Sequence, residues 1–183
     1  MRLNVGDKVS YPSHGPCLIG PVVKRVVGGK LTEFHNWIIL DGGGEFLVPV
    51  DKPQAGGIRR LLEKSEIPKL LAHLKKATRS AEKWNQRTKE NLKLFSSGSA
   101  FDFANIVGSM SELRETKRLQ PSDRQTLEKA KKLLVCEISE VTGESKSAAE
   151  EKIDRVLEGR KGNKGTGTTA KDWPQIEDYG EVL

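Results

Sequence analysis

The hydrophobic pattern of this 183-residue chain changes its period near residue 58. Before that point, apolar residues alternate with polar ones or form short β-branched runs, which is typical of strands. After it, apolar residues recur three or four positions apart, which is typical of helices. Because the two periods suit different structures, we predict an α+β protein in which a small antiparallel β-module precedes a compact all-helical domain.

Four strands are predicted within residues 1–54. Their ranges are Val5–Tyr11, Cys17–Val27, Glu33–Leu40 and Glu45–Val50. Gly28-Gly29 and the triplet at 42–44 separate successive strands, and glycine permits the positive φ of tight hairpin turns. Pro49 is expected at an edge or a strand end because it donates no hydrogen bond. So short a module buries only a small core, and we expect its stability to depend on contacts with the rest of the chain or with a partner.

Five helices are predicted within residues 55–159. Their apolar stretches are Ile67–Leu74, Trp84–Phe95, Phe103–Leu113, Leu127–Val141 and Ala149–Leu157. Gly98 has the position of a residue that ends the second helix. Three serines have the position of N-terminal caps, the second and third with capping-box spacing to Gln125 and Glu150. They are Ser65, Ser122 and Ser147.

The remaining residues, 160–183, are rich in Gly, Lys and Thr and then become acidic. This composition buries too little apolar surface to offset the entropy of ordering, so we expect a flexible linker and an acidic tail. Trp173, Ile176, Tyr179 and Leu183 either dock onto a surface or have no role. The sequence leaves both possibilities open.

Several classes of protein are excluded. No apolar run approaches the ~18 residues that span a bilayer, and no signal peptide is recognisable. Cys17 and Cys136 are too few and too far apart for a disulfide framework. No His, Cys and Asp residues have metal-ligand spacing. We therefore expect a cytoplasmic protein with no membrane contact, no metal, no cofactor and no catalytic activity.

The positive charge is concentrated in residues 58–93, which hold 11 basic and 4 acidic side chains. Such a concentration favours polyanions, although a solvated helix face is a common alternative. Trp84 lies in this stretch without another large apolar residue between positions 80 and 91. It either anchors its helix to a neighbour or is an exposed ring that stacks on an unpaired base.

Two motifs resemble the CarD family (also called CdnL) of bacterial transcription regulators. Val5-Gly-Asp-Lys-Val-Ser-Tyr-Pro-Ser-His-Gly15 resembles the opening motif of that family, and Trp84 to Gly98 resembles its tryptophan helix. Ile58 to Leu62 and Asp123 to Leu134 are also similar, so that the resemblance runs from about residue 3 to 158. The opening motif alone also occurs in transcription-repair coupling factors.

The resemblance implies a Tudor-like module in residues 1–54 that binds the β subunit of bacterial RNA polymerase. It implies that the helical domain, residues 55–159, contacts promoter DNA at the upstream edge of the transcription bubble. There the tryptophan acts as a minor-groove wedge that stabilises the open complex. The family also implies a monomer, associated with the nucleoid through the polymerase.

Carried over to this sequence, the wedge is Trp84, and Arg87 and Lys89 contact the DNA backbone beside it. Gln86 stands where some relatives have arginine, which weakens or moves that contact. The expected DNA-binding set also includes Lys83 and Lys93.

The expected polymerase contacts are Arg25, Val27 and Leu47. Leu47 stands where some relatives have arginine, so we expect a more apolar contact in this protein. The alternative function is a protein-only adaptor, or a polymerase-binding module related to the coupling factors, in which Trp84 is structural.

Overall fold

The structure is a computed structural model that describes residues 4–12, 14–50, 57–76 and 83–161. The strands are β1 (Lys8–Tyr11), β2 (Gly15–Val27), β3 (Lys30–Ile39), β4 (Glu45–Pro49) and β5 (Arg59–Arg60). A 3-10 turn, Lys64–Glu66, leads into the helices. These are α1 (Ile67–Lys75), α2 (Trp84–Ser97), α3 (Ala100–Thr116), α4 (Pro121–Thr142) and α5 (Lys146–Lys161). The predicted α+β class is confirmed, whereas most of the predicted tail lies outside the described residues.

The strands form one antiparallel sheet in the order β4-β3-β2-β1-β5. Gly28 and Gly29 have φ values of 59° and 75° and close the β2–β3 hairpin, as predicted from the need for two positive φ angles. Pro49 ends the edge strand β4, also as predicted. One face of the sheet carries a small core. Its fully buried residues are Val9, Cys17, Ile19 and Trp37.

Strand β5 was not predicted. Arg59 and Arg60 pair with Ser10 and Val9 of β1, so the sheet extends beyond residue 54. The helical period expected from Ile58 begins only at Ile67, because Ile58 packs against the core of the sheet.

The C-terminal end predicted for the second helix agrees with the structure, whereas the predicted N-terminal caps do not. Gly98 ends α2 in the left-handed conformation, as predicted. The three predicted caps are wrong. They are Ser65, Ser122 and Ser147. Ser65 lies inside the 3-10 turn, and Pro121, whose missing N–H suits the first helical position, starts α4 before Ser122. Ser145 caps α5 by accepting a hydrogen bond from the Ala148 N–H at 3.1 Å.

The helices share a core centred on α3 and α4, against which α1 and α5 also pack. Its largest fully buried side chains are Leu70, Leu74, Phe103, Ile106, Met110, Leu134, Ile138 and Ile153. This core is separate from that of the sheet. Between the two cores, β2 packs against α4, and polar contacts join the sheet to the helices.

The main polar contact joins Arg59 of β5 to Glu137 of α4. The guanidinium donates to both carboxylate oxygens, at 2.6 and 2.7 Å, and Glu137 is 1% exposed. The Leu62 N–H donates to the same carboxylate at 3.1 Å, and Arg59 Nε donates to the Gly98 carbonyl at 2.8 Å. One arginine thereby connects the sheet, α4 and the end of α2.

A close backbone approach reinforces this junction. A Cβ atom added to Gly98 would lie 2.3 Å from the Gly57 carbonyl oxygen and 2.9 Å from Pro12. The backbone φ of Gly98 is also positive, at 68°. Both the conformation and the space therefore require glycine at this position.

We predict that Arg59→Ala lowers the free energy of unfolding by about 3 kcal/mol, because it leaves the buried carboxylate of Glu137 without its cation. Urea denaturation measures this loss. The matched control is Lys8→Ala, which removes an exposed cation that pairs with Glu140 on the same helix. It should cost no more than about 1 kcal/mol, and an equal loss in both variants would contradict the prediction.

Candidate nucleic-acid interface

Trp84 is the first residue of α2, and its side chain is 48% exposed. The indole Nε1–H donates to Ser122 Oγ on α4 at 3.2 Å. Thr88 Oγ1 donates to the Trp84 carbonyl at 3.0 Å, one turn along the helix. The ring is thus held along one edge while about half of its surface faces solvent.

Arg87 lies one turn after Trp84 and is buried, with 5% of its surface exposed. Its Nη2 is 2.6 Å from Asp123 Oδ2, and its Nε is 3.3 Å from Asp123 Oδ1. Asp123, near the start of α4, is itself only 3% exposed. This ion pair binds the first turn of α2 to the first turn of α4.

The burial of Arg87 differs from the expectation that it contacts the DNA backbone. A phosphate contact presumes an accessible guanidinium, and in this conformation the group faces a buried carboxylate instead. Charge reversal at Arg87 would also place two carboxylates together inside the protein, so it would not leave the fold intact. The geometry gives Arg87 a positioning role: its ion pair with Asp123 fixes the first turn of α2, which carries the indole.

Two exposed lysines flank the ring. Lys83 and Lys89, together with Asn85 and Gln86, line a shallow depression beside the indole of Trp84. The Gln86 amide donates to Glu90 Oε1 at 3.0 Å along the solvent side of α2. The structure thus brings four of the residues expected to bind DNA into one cluster at the N-terminus of α2. They are Lys83, Trp84, Gln86 and Lys89.

Lys93 lies outside this cluster. It is exposed but follows Trp84 by nine positions, which is about two and a half turns along α2 and about 180° around it. Any contact that it makes with DNA is therefore separate from the indole and stays a prediction.

The backbone at the start of α2 adds positive potential to the cluster. Among the described residues no side chain caps this helix, and its first turn contains no acidic residue. The first N–H groups of a helix have no partner within the helix and attract anions. Trp84 therefore lies among ammonium groups and backbone donors, with no described carboxylate in its own helical turn.

Sequence reasoning missed Ser122 and Asp123 as parts of this site. Ser122 was predicted only as a cap of the fourth helix, and Asp123 only as part of the entry to that helix. Their partners, Trp84 and Arg87, are 38 and 36 residues away in the sequence. No local signal could have found the Arg87–Asp123 pair, because both residues lie in polar stretches of the sequence.

The three expected polymerase contacts lie on one face of the sheet. Arg25, Val27 and Leu47 are exposed. Their opposite residues on β3 are Thr32, Lys30 and Asn36. Because alternate residues of a strand and opposite residues of a pair share a face, all three side chains lie on the face opposite Trp37 and the sheet core. Whether they bind polymerase stays a prediction.

The described residues contain no group of three or more His, Cys, Asp and Glu side chains that could hold a metal ion. No helix in this part of the chain is long and apolar enough to cross a membrane. Burial raises the pKa of both thiols, Cys17 and Cys136, to about 11, so neither is a reactive nucleophile at neutral pH.

Comparison with known families agrees with this architecture. Residues 3–62 match the CarD-like/TRCF RID domain, and residues 69–154 match the CarD C-terminal domain. The chain belongs to the CarD family. It is similar to a Bacillus subtilis (strain 168) protein named "Putative transcription factor YdeB", with 21% identity over 141 residues that cover 76% of this chain and 92% of that protein.

Membership of the CarD family fixes the broad function. The RID domain places this chain among transcription-related regulators that interact with RNA polymerase through its β subunit. CarD-family regulators are non-enzymatic interaction modules. The two matched domains correspond to the sheet and to the helices described above.

We predict that Trp84→Ala lowers the free energy of unfolding by only about 1 kcal/mol, because half of the ring is already in water. Trp37→Ala is the matched control, since Trp37 is fully buried in the sheet core. Truncation of a buried aromatic costs about 3–5 kcal/mol. A loss of that size at Trp84, measured by urea denaturation, would mean that the ring is a core residue.

Proposed function

We propose that this CarD-family protein holds RNA polymerase with its sheet and stabilises the promoter open complex with Trp84. The indole enters the minor groove at the upstream edge of the transcription bubble and slows reannealing of the strands. The observation that carries this proposal is the half-exposed indole at the N-terminus of α2, flanked by Lys83 and Lys89.

A wedge must be large, flat and apolar, and its position must be fixed. Inserting a side chain between base pairs costs a few kcal/mol in lost stacking, much of which is already met where the duplex is melted. The Arg87–Asp123 ion pair and the Trp84–Ser122 hydrogen bond hold the ring in place before DNA arrives. Little side-chain entropy is then lost on binding.

The cations around the ring contact phosphates and read no sequence. Lys83 and Lys89 supply ammonium groups, and the first N–H groups of α2 supply backbone donors. Gln86 belongs to the same surface, and Lys93 makes a separate backbone contact further along α2. Binding to free duplex DNA is therefore weak and strongly dependent on salt. The site on the DNA at which the protein acts is determined by its contact with the polymerase.

The polymerase contact uses the outer face of the β2–β3–β4 sheet. Arg25 supplies a charge and Val27 and Leu47 supply apolar surface, with Val27 56% and Leu47 41% exposed. Exposed apolar side chains on one face of a sheet are typical of a protein–protein interface. In this proposal the protein binds the polymerase as a monomer and associates with the nucleoid through the polymerase.

A protein-only adaptor is the second candidate. The observation that favours it is the Trp84–Ser122 hydrogen bond, which shows that the indole already has an intramolecular partner. In that case the sheet and the helices each bind a protein, and the ring serves only to orient α2. Promoter-complex lifetimes distinguish the two functions.

We predict that Trp84→Ala shortens the lifetime of the polymerase–promoter open complex by about tenfold, which corresponds to about 1.4 kcal/mol. Lys89→Glu should also shorten it, because the reversed charge repels the phosphates near the ring. The lifetime is measured by challenging preformed complexes with a competitor.

The control for charge is Lys69→Glu, at an exposed lysine on α1. It should leave the lifetime within about twofold of that of the wild type, because Lys69 does not line the depression beside the indole and salt screens exposed charges that make no direct contact. Unchanged lifetimes in both Trp84→Ala and Lys89→Glu would favour the adaptor.

We predict that Arg25→Glu weakens capture of the polymerase β subunit by about tenfold, because reversing a charge at an interface replaces attraction by repulsion. Lys24→Glu is the matched control: Lys24 is the preceding residue, and its side chain lies on the other face of the sheet, 3.3 Å from Glu33. Equal losses in the two variants, measured with the full chain, would contradict the assigned face.

A further inference from the structure

A groove of about 490 Å³ lies on the side of the helical domain formed by α3, α4 and α5. Its floor is apolar and is formed by residues that also belong to, or pack against, the helical core. They are Leu119, Leu127, Val135 and Leu157. The groove is not part of the proposed DNA or polymerase surfaces.

The rim of the groove carries five basic and four acidic residues. Three of the carboxylates are already neutralised. Lys131 pairs with Glu150 and Asp154, and Lys132 and Lys146 pair with Asp41 of the β3–β4 turn. Lys146 and Lys132 hold the pKa of Asp41 at about 2, so that Asp41 is ionised at neutral pH.

Two cations on the rim remain available. Arg114 and Arg124 form no ion pair with any described residue; Arg124 Nε donates only to the Leu119 carbonyl, at 3.4 Å. Glu128 is the one rim carboxylate without a described ion pair. The groove therefore offers an apolar floor beside two free guanidinium groups, which suits a segment that combines aromatic and acidic side chains.

The chain itself contains such a segment. Residues 172–183 hold four acidic residues and no basic one, interspersed with Trp173, Ile176 and Tyr179. The segment follows α5, whose Leu157 lines the groove. Residue 161 lies only about 6 Å further along that helix.

We propose that residues 172–183 bind in this groove of the same molecule. Trp173 and Ile176 cover the apolar floor, and Glu177 and Asp178 pair with Arg114 and Arg124. The bound segment lies beside Asp41 as well, so that it bridges the helices and the β3–β4 turn of the sheet. This inference does not depend on the proposed function.

The chain between α5 and the acidic segment is long enough for the segment to reach the groove. Residues 162–171 can span up to about 33 Å when extended, which exceeds the distance from the end of α5 back to a groove that α5 itself lines. A short tether gives an effective concentration in the millimolar range. A contact too weak to form between separate molecules is then substantially occupied within one chain.

The test labels the full chain with 5-fluorotryptophan, which gives one 19F resonance for each of Trp37, Trp84 and Trp173. The Trp173→Phe variant identifies the third. The H2O/D2O isotope shift of each resonance reports solvent contact, with buried Trp37 and half-exposed Trp84 as internal references. We expect the isotope shift of Trp173 to be smaller than that of Trp84 in the wild type.

The double variant Arg114→Glu/Arg124→Glu should at least double the isotope shift of Trp173, because it repels the acidic segment. The control Arg118→Glu reverses an exposed arginine that does not line the groove and should change nothing. Adding Glu177→Arg/Asp178→Arg to the double variant should restore protection. The Trp84 resonance, whose ring is bonded to Ser122 of α4, reports in each case that the helical domain is intact, and the Trp37 resonance reports the same for the sheet.

Three results would overturn the proposal. One is a Trp173 isotope shift in the wild type as large as that of a free peptide. Another is protection that the Arg114→Glu/Arg124→Glu variant does not change, which would place the segment elsewhere. The third is protection that appears only at high protein concentration, which would mean that the groove binds a second copy.

Discussion

Helix α4 carries two buried carboxylates on which the arrangement of the molecule depends. Asp123 binds Arg87 of the tryptophan helix, and Glu137 binds Arg59 of the last strand. The two acids are 14 positions apart, which is close to four full turns and about 21 Å of helix. They therefore project from nearly the same side of α4, one holding the tryptophan helix and the other the sheet.

Buried ion pairs contribute little net stability compared with apolar side chains of the same size, but breaking one is costly. In this protein the two ion pairs serve to orient α2 and the sheet relative to α4. Each guanidinium donates to both oxygens of its carboxylate, and this arrangement fixes the orientation as well as the distance between the elements. An apolar contact would allow α2 or the sheet to rotate, whereas a two-point contact does not.

What could be predicted from the sequence was local. The Gly28-Gly29 turn, the end of α2 at Gly98 and the change from strand to helix each follow from the conformational needs of neighbouring residues. Strand β5 and the role of Arg87 could not be predicted in this way, because Arg87 pairs with a residue 36 positions away. Of the candidate site, the sequence singled out Trp84 and its flanking lysines, but neither the exposure of the ring nor its partner Ser122.

Gly98 stands where the end of α2 meets Pro12 and Gly57, with its carbonyl bound by Arg59. This contact is so close that neither a larger residue nor a rotated backbone fits there. The β2–β3 hairpin and the indole of Trp84 are therefore held at a fixed distance from each other. Under the proposed function, a partner bound at the hairpin would determine, to within the stiffness of a single helix, the position of the indole.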